Sequence, residues 1–346
     1  MNTMFRLLAT LLVAAAMISC EKNPDPQQGP YPAIEAGEGV FIINEGNFQW
    51  SNASLSYFEK GNGEVYHDLY YEVNGETPGD VLQSIVLHDE QLWLVMNNSS
   101  KIVSIDLYTG AHTATISGLT SPRQFLPWNQ NKAYVTDLFA GQIHVVDMNT
   151  REVSGNIPLS GYSEALISAA GKVIVGNMDS GMIYTIDPLT DQLSDSLAVG
   201  PGPGAMVNAG GNMIWVLCGG TWQTTEGASL VKVDAAAWEI VASYELPERS
   251  SAYSRLAISN DGSKLFFLGG DLWMFDTSAA QPQAEVFIPA GGMSLYGLGL
   301  DPYTNNIYIS DAIDYTQNGQ VMRYSIQGQH IETFQAGIIP SGFLFY

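Results

Sequence analysis

Two sets of side chains in this sequence could do chemistry. The first is a set of oxygen donors, Glu45, Asn97, Asp137, Asn177 and Asp311, each ending a short apolar run. Brought together, carboxylate and amide oxygens of this kind hold a hard cation such as calcium. Kept apart, they accept backbone N–H groups where strands end. The second set is aromatic. Long polar loops at 44–52 (NEGNFQWSN), 219–227 (GGTWQTTEG) and 311–319 (DAIDYTQNG) present Phe48 and Trp50, Trp222, and Tyr315. Such rings stack on a flat apolar body while nearby amides meet its polar edges.

The motifs of nucleophilic and metal-assisted catalysis are missing. Gly292-Met293-Ser294-Leu295-Tyr296 lacks the last glycine of a Gly-x-Ser-x-Gly elbow. His67, His88, His112, His144 and His330 show neither His-Glu-x-x-His nor zinc spacing. The run 200–204 (GPGPG) is glycine-rich but has no phosphate-binding lysine, and reads as a turn near an axis. Cys218, inside the apolar run 213–218 (MIWVLC), reads as a small buried hydrophobe. No catalytic residue or metal ligand is assigned, and no cofactor is expected.

The elements that position these side chains come from a repeat. KIVSIDLYTGAHTATI (101–116), QIHVVDMNTREVSGNI (142–157) and MIYTIDPLTDQLSDSL (182–197) align, and weaker copies follow at 230–246, 272–288 and 321–335. An early copy lies at 55–71. A period near forty residues signals radial repetition or a solenoid. Each unit holds four short runs with the alternation and β-branched residues of strands, as in Gln83–Leu87, Leu92–Met96, Ile102–Asp106 and Thr113–Ile116. Four strands per forty residues is the pattern of a propeller blade.

The expected fold is therefore all-β: a seven-bladed β-propeller with four-stranded blades at about 40–75, 79–116, 122–159, 163–199, 204–246, 254–288 and 295–335. The first unit lacks an innermost strand, and the C-terminal run 338–346 is expected to supply it and close the ring. Asp106, Asp147 and Asp187 each precede a threonine by three residues, as expected of aspartates that open turns.

Composition fits this fold. Charged residues are only 14%, and the net charge is −22, a field that repels nucleic acid and other polyanions. The apolar stretch from Leu7 to Ile18 is too short to span a bilayer and has the length of a signal core. It ends in Met17-Ile18-Ser19-Cys20, which resembles a bacterial lipobox. The expected organisation is a lipoprotein signal peptide at 1–19, a lipidated Cys20 with a flexible tether at 20–37, and the propeller at 38–346. Membrane contact is then through the lipid alone.

The repeat, with its β-run, Val/Ile-x-x-Asp, turn and Lys/Thr-rich strand, resembles the YncE-like propellers over nearly all of 40–346. The opening Phe41-Ile42-Ile43-Asn44-Glu45-Gly46-Asn47-Phe48, behind the lipobox, is similar to a Bacteroidetes family of surface propeller lipoproteins. That family includes BtuG-type proteins. The resemblance implies capture of cobalamin or a related corrinoid as a transported ligand, delivery to a TonB-dependent outer-membrane transporter, and a lipid-anchored place at the cell surface. It carries no ligand-contact motif onto individual residues.

In a propeller, the loops between second and third strands and those between blades share one face and ring the axis. Loops on a rigid scaffold commonly carry function. The candidate ligand-binding residues are therefore Phe48, Trp50, Asn97, Arg123, Asp137, Phe139, Tyr162, Asn177, Trp222, Tyr253, Arg255, Tyr296 and Tyr315. A calcium-dependent propeller lactonase, built on the oxygen donors above, is the enzymatic alternative. A surface interaction scaffold without a small ligand is the third reading.

Overall fold

The computed structural model describes residues 31–221, 225–249 and 252–346. The signal segment, Cys20, most of the tether and Trp222 lie outside the described residues. Seven four-stranded antiparallel sheets follow one another along the chain. Six are simple meanders, from Leu82–His88 through His112–Ile116 in the second blade to Leu295–Leu300 through His330–Ile338 in the seventh.

The first blade is a composite. Its innermost strand is Pro340–Phe345, paired antiparallel with Gly39–Asn44, and Ser54–Glu59 and Glu64–Tyr66 complete the sheet. The C-terminal strand thus closes the ring as the sequence predicts. The first unit departs from expectation at its outer edge. Its last strand has only three residues, and Leu69–Asn74 forms a short helix where the repeat suggests more strand. Asp68 and Gly75, both in the left-handed region, bracket that helix.

Middle strands are buried on both faces because each blade has neighbours on both sides. Along Gln91–Met96, Leu92, Leu94 and Met96 enter the seam with the first blade, while Trp93 and Val95 enter the seam with the third. This explains why second strands read as unbroken apolar runs (QLWLVM, MIWVLC, KLFFLG). Outermost strands see solvent on one side and alternate, as in Glu152–Pro158. The core is accordingly seven separate clusters, one for each seam.

At the closure seam, Phe58 stacks on Phe334 at 4.0 Å, and Tyr308 packs against Phe343 and Phe345. Lys60 and Asp301 form a buried ion pair there, at 2.9 Å. Its effect is to hold the Asp301 carboxyl below the ordinary value against the opposing pull of burial.

The repeated aspartates behave as turn openers. Asp106 accepts the backbone N–H groups of Tyr108 and Thr109, Asp147 those of Asn149 and Thr150, and Asp234 those of Ala236 and Ala237. Cys218 is fully buried, its thiol donating to the Val199 carbonyl, and burial pushes its pKa up to about 12.

Candidate functional site

One face of the ring is stitched together by a recurring hydrogen bond. The residue just after a second strand donates its backbone N–H to the residue just before the first strand of the same blade. Glu45 to Ile339, Asn97 to Val81, Leu138 to Ser121, Met178 to Tyr162, Gly219 to Gly202 and Ala312 to Ser294 all do so, at 2.8 to 2.9 Å. The two kinds of loop therefore share one face, as the sequence reading requires.

Immediately inside that face, the pairing register of every innermost strand shifts. The shifts fall at Leu82/Ser84, Pro122/Phe125, Ser163/Leu166, Pro203/Ala205, Ser254/Leu256 and Leu295/Leu298, and at Ile43/Asn44 opposite the closing strand. A β-bulge inserts an unpaired residue and re-aims its side chain. The residues at these bulges are Gln83, Arg123 with Gln124, Glu164 with Ala165, Gly204, Arg255, Tyr296 with Gly297, and Ser341. The first six positions reach an axial cavity of about 780 Å³.

The cavity has two sides. One is polar. Arg123 donates from Nε and Nη2 to Glu164 at 2.7 and 2.9 Å, and from Nη1 to Gln83 at 2.5 Å. Burial would lower the Arg123 pKa, but the Glu164 carboxylate outweighs it and holds the guanidinium above its ordinary value. Across the same arc, the Tyr296 hydroxyl donates to Glu45 at 3.0 Å, and Arg255 lies over the Tyr296 ring at 5.6 Å. Burial pushes the Glu45 carboxyl above its ordinary value, opposed by Arg255 and by the Tyr296 hydrogen bond. Two acids thus face two arginines.

The other side is glycine-rich and apolar. Gly202, Gly204, Gly219 and Gly220 line it, with Met178, Ala205, Met206 and Leu256. Gly202 has φ +68°, and a β-carbon there would strike the Gly220 carbonyl, so that position is glycine by necessity.

The predicted residues divide accordingly. Phe48, Asn97, Arg123, Tyr253, Arg255 and Tyr296 line the cavity. Trp50 (75% exposed), Phe139 (63%) and Tyr315 (44%) stand outside it, as does Tyr162. Phe139 meets the Tyr162 ring edge-on at 5.6 Å, and Tyr315 meets Tyr296 edge-on at 5.7 Å. Tyr253 is nearly buried, with its hydroxyl on the Pro247 carbonyl.

Asp137 and Asn177 do not reach the cavity. Both are fully buried, because their oxygens are taken by backbone. Asp137 accepts N–H groups from Thr120, Ser121, Phe139 and Ala140, and lies 3.2 Å from His144 Nε2. Burial opposes these donors, yet they hold its carboxyl below the ordinary value. Asn177 donates to the Ser160 carbonyl and accepts from the Ser180 N–H.

The five oxygen donors are likewise dispersed. Asp311 accepts the N–H groups of Ser294 and Ile313, and Asn97 donates to the Pro122 carbonyl. Only Glu45 among the three acids turns its charge toward the cavity. Among the described residues no three acidic, histidine or cysteine side chains come together.

Sequence reasoning missed Gln83, Gln124 and Glu164, and it weighed Glu45 only as a cation ligand or strand cap. The signal was present: Gln83, Arg123 and Glu164 are 40 and 41 residues apart, one repeat each.

Residues 38–346 match the family described as Domain of unknown function (DUF5074), and the chain belongs to that family. No curated protein sequence matches it. Solved structures share the fold at low identity. A protein from Lactobacillus plantarum is similar at 13% identity and a TM-score of 0.71, over 89% of this chain and 99% of that one. A putative 6-phosphogluconolactonase from Bacteroides uniformis is similar at 12% identity and 0.70, over 90% and 100%. A quinonprotein alcohol dehydrogenase-like protein from Bacteroides thetaiotaomicron gives 15% and 0.67, over 89% and 78%.

Proposed function

We propose that this DUF5074 propeller is a binding protein that captures one small ligand in its axial cavity, and that the ligand is cobalamin or a related corrinoid. The observation that carries the reading is the cavity itself. Its charges balance on one side, and its other side is glycine backbone and apolar side chains. Such a site suits a large molecule with a flat apolar body and amide edges. Its volume of about 780 Å³ falls within the range of small-molecule pockets. A corrinoid exceeds a drug-sized ligand, so its outer part would rise past Phe48 toward Trp50, Phe139 and Tyr315. The choice of a corrinoid among flat, amide-rich molecules rests on the resemblance of the opening motif.

On this reading the chain is exported, anchored through Cys20 at the outer-membrane surface, and hands its ligand to a TonB-dependent transporter. We assign it no reaction. Each cavity acid is already engaged, Glu164 by Arg123 and Glu45 by Tyr296.

The test is a visible-absorbance titration with cyanocobalamin and cobinamide. Equimolar red ligand retained through desalting is the expected result. No binding at micromolar concentration would overturn the corrinoid assignment. Stoichiometric calcium in the purified protein would promote the lactonase-type alternative instead.

A further inference from the structure

The two arginines of the cavity are held differently. All three guanidinium nitrogens of Arg123 are engaged, Nε and Nη2 donating to Glu164 and Nη1 to Gln83. It acts as a strut. Arg255 donates only from Nε, to the Tyr296 carbonyl at 3.3 Å. Its Nη2 stands 3.7 Å from Glu45 Oε1, outside hydrogen-bond reach. Among the described residues nothing accepts from its Nη1 or Nη2. The side chain is 30% exposed and opens on the cavity.

The free edge of a guanidinium presents parallel N–H groups that match a planar or tetrahedral oxyanion. We propose that the cavity anchors its ligand by an oxyanion, a carboxylate or a phosphate ester, seated on the Nη edge of Arg255, and that Glu45 competes with it for that arginine. This rests on the axial cavity being the ligand site, and it adds one charged group to an otherwise uncharged ligand.

The competition has a direction. Glu45 is faced by Arg255, by the Tyr296 hydroxyl and, farther off, by Arg123. An oxyanion on Arg255 offsets the positive charge that favours the Glu45 carboxylate, 3.7 Å away. Protonating Glu45 relieves that competition, so binding tightens as pH falls.

The experiment uses small aryl ligands, so it does not depend on the corrinoid. Calorimetric titrations compare benzoate and phenyl phosphate with neutral benzamide on the intact propeller. Benzoate or phenyl phosphate should bind and benzamide should not, the tighter of the two anions identifying the oxyanion class. Arg255→Gln should weaken anion binding by about tenfold or more, and Arg255→Lys by less, since it keeps the charge but loses the fork. Glu45→Gln should strengthen binding by roughly threefold or more and flatten its pH dependence, because it removes the competitor. Equal binding of benzoate and benzamide, or no gain in Glu45→Gln, overturns the inference. Anion binding through Arg255 without retention of cyanocobalamin refutes the corrinoid reading and leaves the anchor standing. Cyanocobalamin retained equally by the wild type and Arg255→Gln does the reverse.

Discussion

Each blade is read twice along its length, once at the turn after its third strand and once at the bulge that begins its innermost strand. At the outer turn five of the seven blades carry the same residue: Asp106, Asp147, Asp187, Asp234 and Asp276 all accept N–H groups from the turns they open, with Glu59 and Tyr324 ending the third strands of the first and seventh. At the inner bulge no two neighbouring blades agree, and glutamine, arginine, glutamate, glycine, arginine, tyrosine and serine succeed one another. The outer turn fixes the chemistry its residue must have, because its backbone donors need one particular acceptor. The inner bulge fixes only a position and a direction. What stands there is free to suit something other than the fold.

The sharpest way to break this contrast is to remove the strand that serves the whole ring. Deleting 338–346 takes away the Ser341 bulge, the inner partner of Gly39–Asn44 and the Phe343 and Phe345 side of the closure seam. Loss of cooperative thermal unfolding by circular dichroism is expected, and an unchanged midpoint would refute closure by this strand.

A smaller but still large loss should come from Asp137, which lies on the ligand face but serves backbone donors. Asp137→Asn is expected to cost roughly 2–3 kcal/mol at neutral pH, the scale of lost charge-assisted hydrogen bonds to a buried acid. Its folded-state pKa is lowered, so its stabilisation is present above the unfolded value and disappears as pH falls through the folded one. Urea midpoints of wild type and variant should therefore be well separated at pH 7 and converge in acid. A constant gap would show that charge is not the cause.

Gly204→Phe probes the inner position directly. Its β-carbon would meet Met178 only at 3.6 Å, and its φ is ordinary, so the fold should accept the ring while the cavity fills. The expectation is a melting point within about 2 °C of wild type and at least about tenfold weaker corrinoid retention. Unchanged retention would move the ligand away from the axis.

The smallest effect should follow Asp106→Ala at an outer turn. A drop of roughly 1–3 °C in melting point is expected, with ligand retention untouched. A change in retention would mean that the two ends of the blade are not independent.

The same contrast explains what could be read from sequence. Repeated chemistry is legible: the aspartates gave the period, and the unbroken apolar second strands followed from burial on both faces. The closing strand was legible because the first unit was one strand short. Glu164 went unread although it stands one repeat after Arg123, because the residue type changes from one bulge to the next while the repeat aligns on its aspartates. Asp137 and Asn177 were misplaced for the opposite reason. Polar residues at strand ends serve backbone donors as readily as ligands, and only the finished hydrogen bonds distinguish the two. The helix Leu69–Asn74 escaped because its sequence, LYYEVN, has the aromatic and branched content of a strand.

The closing strand also imposes an order on folding. Asn44 accepts the N–H of Gly337, a residue 293 positions away. Blades two to seven are local meanders that can form as their own strands become available, but the first cannot. Until the final strand docks, Gly39–Asn44 presents an unpaired edge with four consecutive apolar residues, Val40 to Ile43, of the kind that pairs with other chains. Ring closure is thus the pairing of greatest sequence separation, and a chain held short of it leaves that edge exposed.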